Sequence, residues 1–173
     1  MLDFSQRLLG ALKLQTAVYE EVEADTRATP QALAVVVISS VATGLGLSRT
    51  SSLASLIAGA LAALFGWFIW AGLTYLIGTK ILPEPQTKSD IGELMRTTGF
   101  ASAPAIFHLL ARLPLIGFAA SFAVSVWMLV AMVIAVRQAL DYRSTVRAVG
   151  VCVTGWLVYV AVAAFMSNLS ELY

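Results

Sequence analysis

Charge is scarce in this sequence. Only 12% of its 173 residues are Asp, Glu, Lys or Arg, and 59% are hydrophobic. Soluble domains are about a quarter charged and about half apolar, so the composition excludes an ordinary soluble domain and points to an integral membrane protein. The net charge is +1, too close to neutral for a nucleic-acid footprint. Cysteine is represented by Cys152 alone, which excludes an intrachain disulfide. Histidine is represented by His108 alone, which excludes paired-histidine haem ligation within one chain. No Asp or Glu stands inside any apolar run. Intramembrane acids are costly and mark proton and ion pathways, so an ion-coupled carrier lacks its usual groups. Phosphate-loop, H-E-x-x-H and C-x-x-C patterns are missing, and "TGLGLS" follows no strand. The expectation is a non-enzymatic protein with no bound cofactor and no metal site.

What is present is a series of long apolar runs. Leu2 to about Val22 carries apolar residues at three- and four-residue steps, interrupted by Arg7, Lys13 and Gln15. This is an amphipathic helix pattern, too broken to span and without the continuous core of a cleavable signal peptide. Its apolar face either lies in the membrane interface or packs on the protein's own spans. Residues 1–29 thus form an N-terminal segment, and residues 30–173 a domain of five spans at about 30–47, 53–82, 97–113, 114–136 and 146–166. The predicted fold is all-α. Thr29 as a capping hydroxyl and Pro30 at the first helical position open the first span, which at about 18 residues reaches roughly 27 Å. The second, near 30 residues, exceeds the bilayer and is stopped by "PEPQ". Ser89 or Asp90 caps the segment that follows, with Glu93 placed for a capping box. The third span is short and holds Pro104 and His108.

Orientation follows from the basic residues. Nine of the eleven Lys and Arg (7, 13, 27, 80, 88, 96, 137, 143 and 147) fall on one side of a five-span chain, and only Arg49 and Arg112 on the other. The positive-inside rule then places the N-terminus in the cytoplasm and the C-terminus outside. The distribution holds only if the weak third segment crosses.

Several side chains are candidates for a role. Ala54, Ala58, Ala62 and Gly66 form a row on the second span beside Ser55, Gly59 and Ala63, and Gly117, Ser121 and Ser125 form one on the fourth. Small residues at four-residue spacing admit close helix approach in lipid. His108 is read either as a pigment or haem ligand or as a hydrogen-bond partner for a carbonyl freed by Pro104. Ser39, Ser40, Thr43 and Thr74 either bond backbone carbonyls or line a solute path. Trp67, Trp70, Trp127 and Trp156 suit packing or interfacial anchoring. Glu20, Glu21, Glu23 and Asp25 gather at the C-terminal end of the amphipathic segment, where the helix dipole prefers cations. The expectation is that they pair with Lys88, Arg96, Arg143 or Arg147; the alternatives are that they face a basic partner, or are solvated or bind a divalent ion weakly.

The order "YEEVEADTRATPQAL", a two-span hairpin, "GELMRTTGFASAPAIFHLLARLPLIGF" and "RQALDYRSTVRAVGV" resembles the Yip-domain family over about Leu14 to Met166, with the small prokaryotic branch the nearer match. The resemblance implies five spans and no established reaction. Eukaryotic members act in ER-to-Golgi traffic through a long cytosolic N-terminal region that recruits Rab-type GTPases; here about 29 residues precede the first span. The resulting expectation is an organising or interaction protein, or an accessory subunit, in a bacterial cytoplasmic membrane, in contact with lipid and with other membrane proteins or its own copies. The alternatives are a small-solute channel and a pigment-associated subunit.

Overall fold

The computed structural model describes residues 2–48 and 52–170, with side chains to 161. Arg49, Glu171 and the side chains at the expected end of the fifth span near Met166 lie outside the described residues. All described regular structure is helical. The elements are α1 (Phe4–Leu12), α2 (Thr16–Ala24), α3 (Thr29–Leu47), α4 (Leu53–Leu76, continued by a wide π turn over Ile77–Ile81), α5 (Ile91–Ala101), a 3₁₀ segment (Ala103–Arg112), α6 (Gly117–Ala139) and α7 (Thr145–Ser170).

Three helical stretches are long and apolar enough to cross a membrane: Thr26–Leu47, Leu53–Ile81 and Gly117–Ala139; α7 adds a shorter apolar stretch, Thr145–Ala161. The first two match the expected spans. The fourth starts at Gly117 instead of Pro114, because residues 113–116 form a turn in which Leu115 takes a left-handed φ of 74°. Gly117 is needed there: a Cβ would stand 2.2 Å from the Ala111 carbonyl oxygen.

The expected third span is not one helix. α5 ends at Ala101, and residues 103–112 wind as 3₁₀. Pro104 has no N–H for the Phe100 carbonyl and disfavours α geometry at Ala103, so the α-helix stops before it. Ser102 turns back onto the Gly99 carbonyl at 2.7 Å. Asp90 makes the capping box with Glu93 that the spacing anticipates.

The N-terminal segment also differs from expectation. It is two helices, broken where Leu14 adopts φ 57°. Asp3 and Gln6 cap the first reciprocally. Its apolar face is turned into the protein, which corrects the interfacial reading: Ala11, Val18, Tyr19 and Val22 are buried in a core with Ala32, Val35, Phe100 and Ala131. Thr29 is not a cap; Asp25 instead accepts from the Arg27 N–H and closes a short 3₁₀ turn leading into α3.

The long helices reach unequal depths. α3 is roughly 28 Å long, close to the hydrocarbon thickness. The stretch Leu53–Ile81 is roughly 43 Å. Its far end is covered by protein, in a second core of Ala71, Ile77, Leu94, Val136, Leu140, Tyr142 and Val151. There the Tyr142 hydroxyl lies 2.8 Å from the Gly78 carbonyl and 2.7 Å from that of Leu82, meeting acceptors left open by the π turn.

Two glycines separate close packing from open space. At Gly46 a Cβ would lie 1.9 Å from the His108 carbonyl oxygen, so α3 meets the 3₁₀ segment backbone to backbone. At Gly59 a Cβ would meet no described atom within 4 Å. Gly46→Ala is expected to destabilise the fold by about 1–3 kcal/mol through overpacking. Gly59→Ala should be neutral or stabilising by about 0.5–1 kcal/mol, because alanine favours the helix. Unfolding of both variants in the same detergent, followed by circular dichroism, checks the contrast.

Candidate functional site at the charged end of the bundle

Arg7 organises the end of the bundle where α1, α2 and the start of α3 meet. Its guanidinium is buried, 2% exposed. Nε donates to Glu21 at 2.9 Å and Nη2 to the other Glu21 oxygen at 2.7 Å, a bidentate pair. Nη2 also reaches Asp25 at 2.5 Å, and Nη1 donates to the Gln31 side chain at 2.8 Å. The hydrogen bond to Glu21, ahead of that to Asp25, holds the arginine pKa above its ordinary value against the opposing effect of burial. Asp25 is held below the usual carboxylate range, first by Arg7 and then by the Arg27 N–H. Two of the four clustered acids are therefore committed to the fold.

Their partner differs from the expected set. Arg96 takes main-chain acceptors instead: its Nε donates to the carbonyls of Val22 at 2.9 Å and Glu23 at 3.0 Å, and Nη2 also bonds the Glu23 carbonyl. A cation thus sits on the open carbonyls that end α2, where the dipole favours it. Arg147 pairs with Glu84 at 3.6 Å. Glu84 also accepts the Arg143 N–H at 3.0 Å and the Ser144 N–H at 3.2 Å; the bond from Arg143 is the main reason its carboxyl is held low.

Glu20 and Glu23 point elsewhere. With Asp141, Arg137, Gln138 and Tyr142 they line an open cavity of about 420 Å³ at this end of the bundle. Glu20 accepts from the Gln138 amide at 2.7 Å. Glu23 is half-buried, and burial first, then Glu93, Asp141 and Glu20, push its carboxyl up to about 7, with Arg96 opposing. Burial raises the Tyr142 phenol to about 12. The cavity therefore offers carboxylates beside two arginines, a mixed-charge surface with one acid that titrates near neutrality.

The remaining candidates lie within the bundle. His108 is buried, with Nδ1 3.4 Å from the Thr43 hydroxyl. Ser39 donates to the Ser102 carbonyl at 2.9 Å and Ser40 to that of Val37 at 2.8 Å. Ser39, Ser40 and Thr43 line a second cavity, of about 670 Å³, whereas Thr74 stands outside it. In the small-residue row of α4, Ala54, Ala58, Gly59 and Ala62 are exposed and Gly66 is partly so; Gly59, Ala62 and Gly66 line that second cavity. Ser125 is exposed and bonds back to the Ser121 carbonyl at 2.9 Å. No trio of His, Cys, Asp or Glu that could hold a metal is found among the described residues.

Long apolar helices presenting Leu, Phe and Val outward, with charge collected at one end, define an all-α integral membrane protein. The family model of the Yip1 domain matches residues 17–166, and the chain belongs to that family. Comparison with curated proteins gives no significant match, and comparison with solved structures gives none. Arg7 is the residue that sequence reading did not single out as a partner; Arg96 was expected at an acid of the cluster and takes main-chain carbonyls instead. The signal available for Arg7 was a cation on an amphipathic helix a few turns from four acids.

Two outcomes follow. Arg7→Ala leaves Glu21 and Asp25 without their cation and should lower the thermal midpoint by at least about 5 °C, with Arg7→Lys intermediate because it loses the fork. Glu23 has a folded pKa above its ordinary 4.5, so its stability contribution is fully present below about 4.5 and lost as pH rises through about 7. Glu23→Gln should flatten this window, leaving the variant more stable than wild type at pH 8 and little different at pH 4. Midpoints measured across pH 4–8 test it.

Proposed function

We propose that this Yip-family protein acts without catalysis, as a membrane interaction protein that presents the Glu20–Glu23–Asp141 cavity to a partner carrying a basic segment. The observation that carries this reading is the division of the acidic cluster. Glu21 and Asp25 are bound by Arg7, while Glu20 and Glu23 face an open cavity with Asp141. Charge complementarity at such a surface favours docking and partner choice. The Arg137 and Arg143 side chains beside them would disfavour a purely basic tract and suit a partner of mixed charge. The exposed Ala54 and Ala58 on α4 leave a smooth face for a neighbouring helix, from a partner or a second copy.

The proposed topology has five crossings, with the cavity in the cytoplasm and the C-terminus outside. Two contacts support a crossing by α5 and the 3₁₀ segment together. Arg96 holds the end of α2 just before α3 begins, and Arg112 donates to the Ser48 carbonyl at 3.2 Å just after α3 ends. The 3₁₀ segment is packed between α3 and α6. Non-α backbone at membrane depth is tolerated when protein covers it.

The test is affinity purification from native membranes with quantitative mass spectrometry, comparing wild type with the triple variant Glu20→Gln, Glu23→Gln, Asp141→Asn. Specific partners are expected to fall away while expression holds and the thermal midpoint does not fall. An unchanged set of co-purifying proteins would remove the proposal.

A further inference from the structure

The N-terminal hairpin of α1 and α2 lies beside α6 for about half a bilayer. At the charged end Glu20 accepts from the Gln138 amide, next to Arg137. At the hairpin tip the Trp127 indole donates at 3.1 Å to the carbonyl of Leu12, the last residue of α1, and its ring stacks on Phe107 at 5.4 Å. Gln138 and Trp127 stand roughly 16 Å apart along α6. Between them α2 covers α6. Ala131 and Ala135 share one core with Val18 and Val22, and from Ala131 to Ala139 every residue of α6 is buried or half-buried.

The outward face of this hairpin is polar. Ser5, Gln6, Lys13, Gln15, Thr16 and Glu20 are exposed, and among the described residues the one large apolar side chain exposed with them is Leu9. A flat hydrocarbon core of about 30 Å beginning at Arg137 would end near Gly117 and place the hairpin tip about half-way through it. Lys13, Gln15 and Thr16 would then meet acyl chains near the bilayer centre, where a charged side chain is most costly.

The apolar surface is short on the same face. On α6 the exposed large apolar side chains run from Phe118 to Val130, roughly 18 Å, and the turn back to Leu115 extends the strip to about 23 Å. On α4 they run from Leu53 to Leu76, roughly 35 Å. α5 lies between α4 and α2 and packs against both, so the two strips meet lipid on different sides of the bundle. Tilting does not lengthen the short strip, because tilt reduces the thickness that a strip of given length covers. Hydrophilic groups close it at both edges. Lys13 stands at the hairpin tip, and at the far end Arg112 is exposed beside the turn and bonded to the Ser48 carbonyl where α3 ends. Trp127 sits at the inner edge, as tryptophan commonly does at a membrane interface.

We infer that the hairpin thins the bilayer along this face. Headgroups of the leaflet at the charged end reach the hairpin tip, and lipid there covers about 18–23 Å of apolar surface in place of about 30 Å. The bilayer adapts to a short apolar surface by thinning at a modest cost per ångström, and the polar face of the hairpin stays hydrated. The partner is the lipid bilayer itself. This role needs only the helical membrane fold and stands whether or not a basic partner docks at the carboxylate cavity.

The test uses full-length protein carrying Cys152→Ala and one nitroxide label, at Lys13→Cys, Phe122→Cys or Leu115→Cys, in vesicles of 1-palmitoyl-2-oleoylphosphatidylcholine. Electron paramagnetic resonance compares collisions with oxygen, which enters hydrocarbon, and with nickel ethylenediaminediacetate, which stays with water. The nickel-to-oxygen ratio at the Lys13 and Leu115 sites is expected to exceed that at the Phe122 site by at least about fivefold, because hydrocarbon excludes the polar complex. Circular dichroism confirms that each variant is folded, and Ala17→Cys replaces Lys13→Cys if the latter is not. A ratio at the Lys13 site as low as at Phe122 overturns the inference by placing the tip in hydrocarbon. The same result at the Leu115 site overturns it by extending the hydrocarbon past the turn, so that the belt is displaced and not thinned. Few collisions with either reagent at the Lys13 site overturn it too, by assigning the hairpin face to a second copy or another protein.

Discussion

The buried guanidinium of Arg7 is the constraint on which the charged end depends. A cation with so little solvent exposure is tolerable only when its donors are met, and here Glu21, Asp25 and Gln31 meet them from three separate elements. That single group fixes α1 against α2, the turn at Asp25 and the first turn of α3. Arg96 repeats the logic from α5, using main-chain carbonyls as acceptors. Arg7, reaching Gln31 from α1, and Arg96, reaching the end of α2 from α5, tie the N-terminal hairpin to the spans. With its polar edge held in this way, the hairpin buries Val18, Tyr19 and Val22 against the bundle.

The same clamp explains which acids remain available. Acids at the C-terminal end of a helix are locally unfavourable, and α2 carries three of them in its last turns. The cost is offset for Glu21 by Arg7 and for the helix end by Arg96. It is not offset for Glu23, whose carboxyl is raised toward neutrality by burial and by the acids around it. A structural role and an accessible role are thus divided between neighbours in one short helix.

Within the bundle, the α5 segment and the long α4 set the shape. α5 stops at Pro104, and the 3₁₀ segment beyond it lies close enough to α3 that Gly46 touches the His108 carbonyl. α4 overshoots α3 at the charged end and is covered there by α6 and α7. Higher up, α4 is mostly exposed, and the cavity lined by Ser39, Ser40 and Thr43 opens beside it.

Much of this was legible in the residues. The dearth of charge and the apolar runs near 30–47, 53–82 and 114–136 determined a helical membrane protein, because a chain this apolar must satisfy its backbone internally. Asp90 with Glu93 marked where α5 begins, but Pro104 was read inside a single span over 97–113, and the structure ends the α-helix before it. The partners of the acidic cluster were not legible. Sequence separation does not say that Arg7 folds back over Glu21 and Asp25 while Arg96 seeks carbonyls; that depends on the chain reversing at Leu14. The small-residue row of α4 was visible as a pattern, but only the tertiary structure decided that it faces outward and borders a cavity. Periodicity reveals that a helix has a distinct face, whereas the neighbour of that face is set by how all the helices pack together.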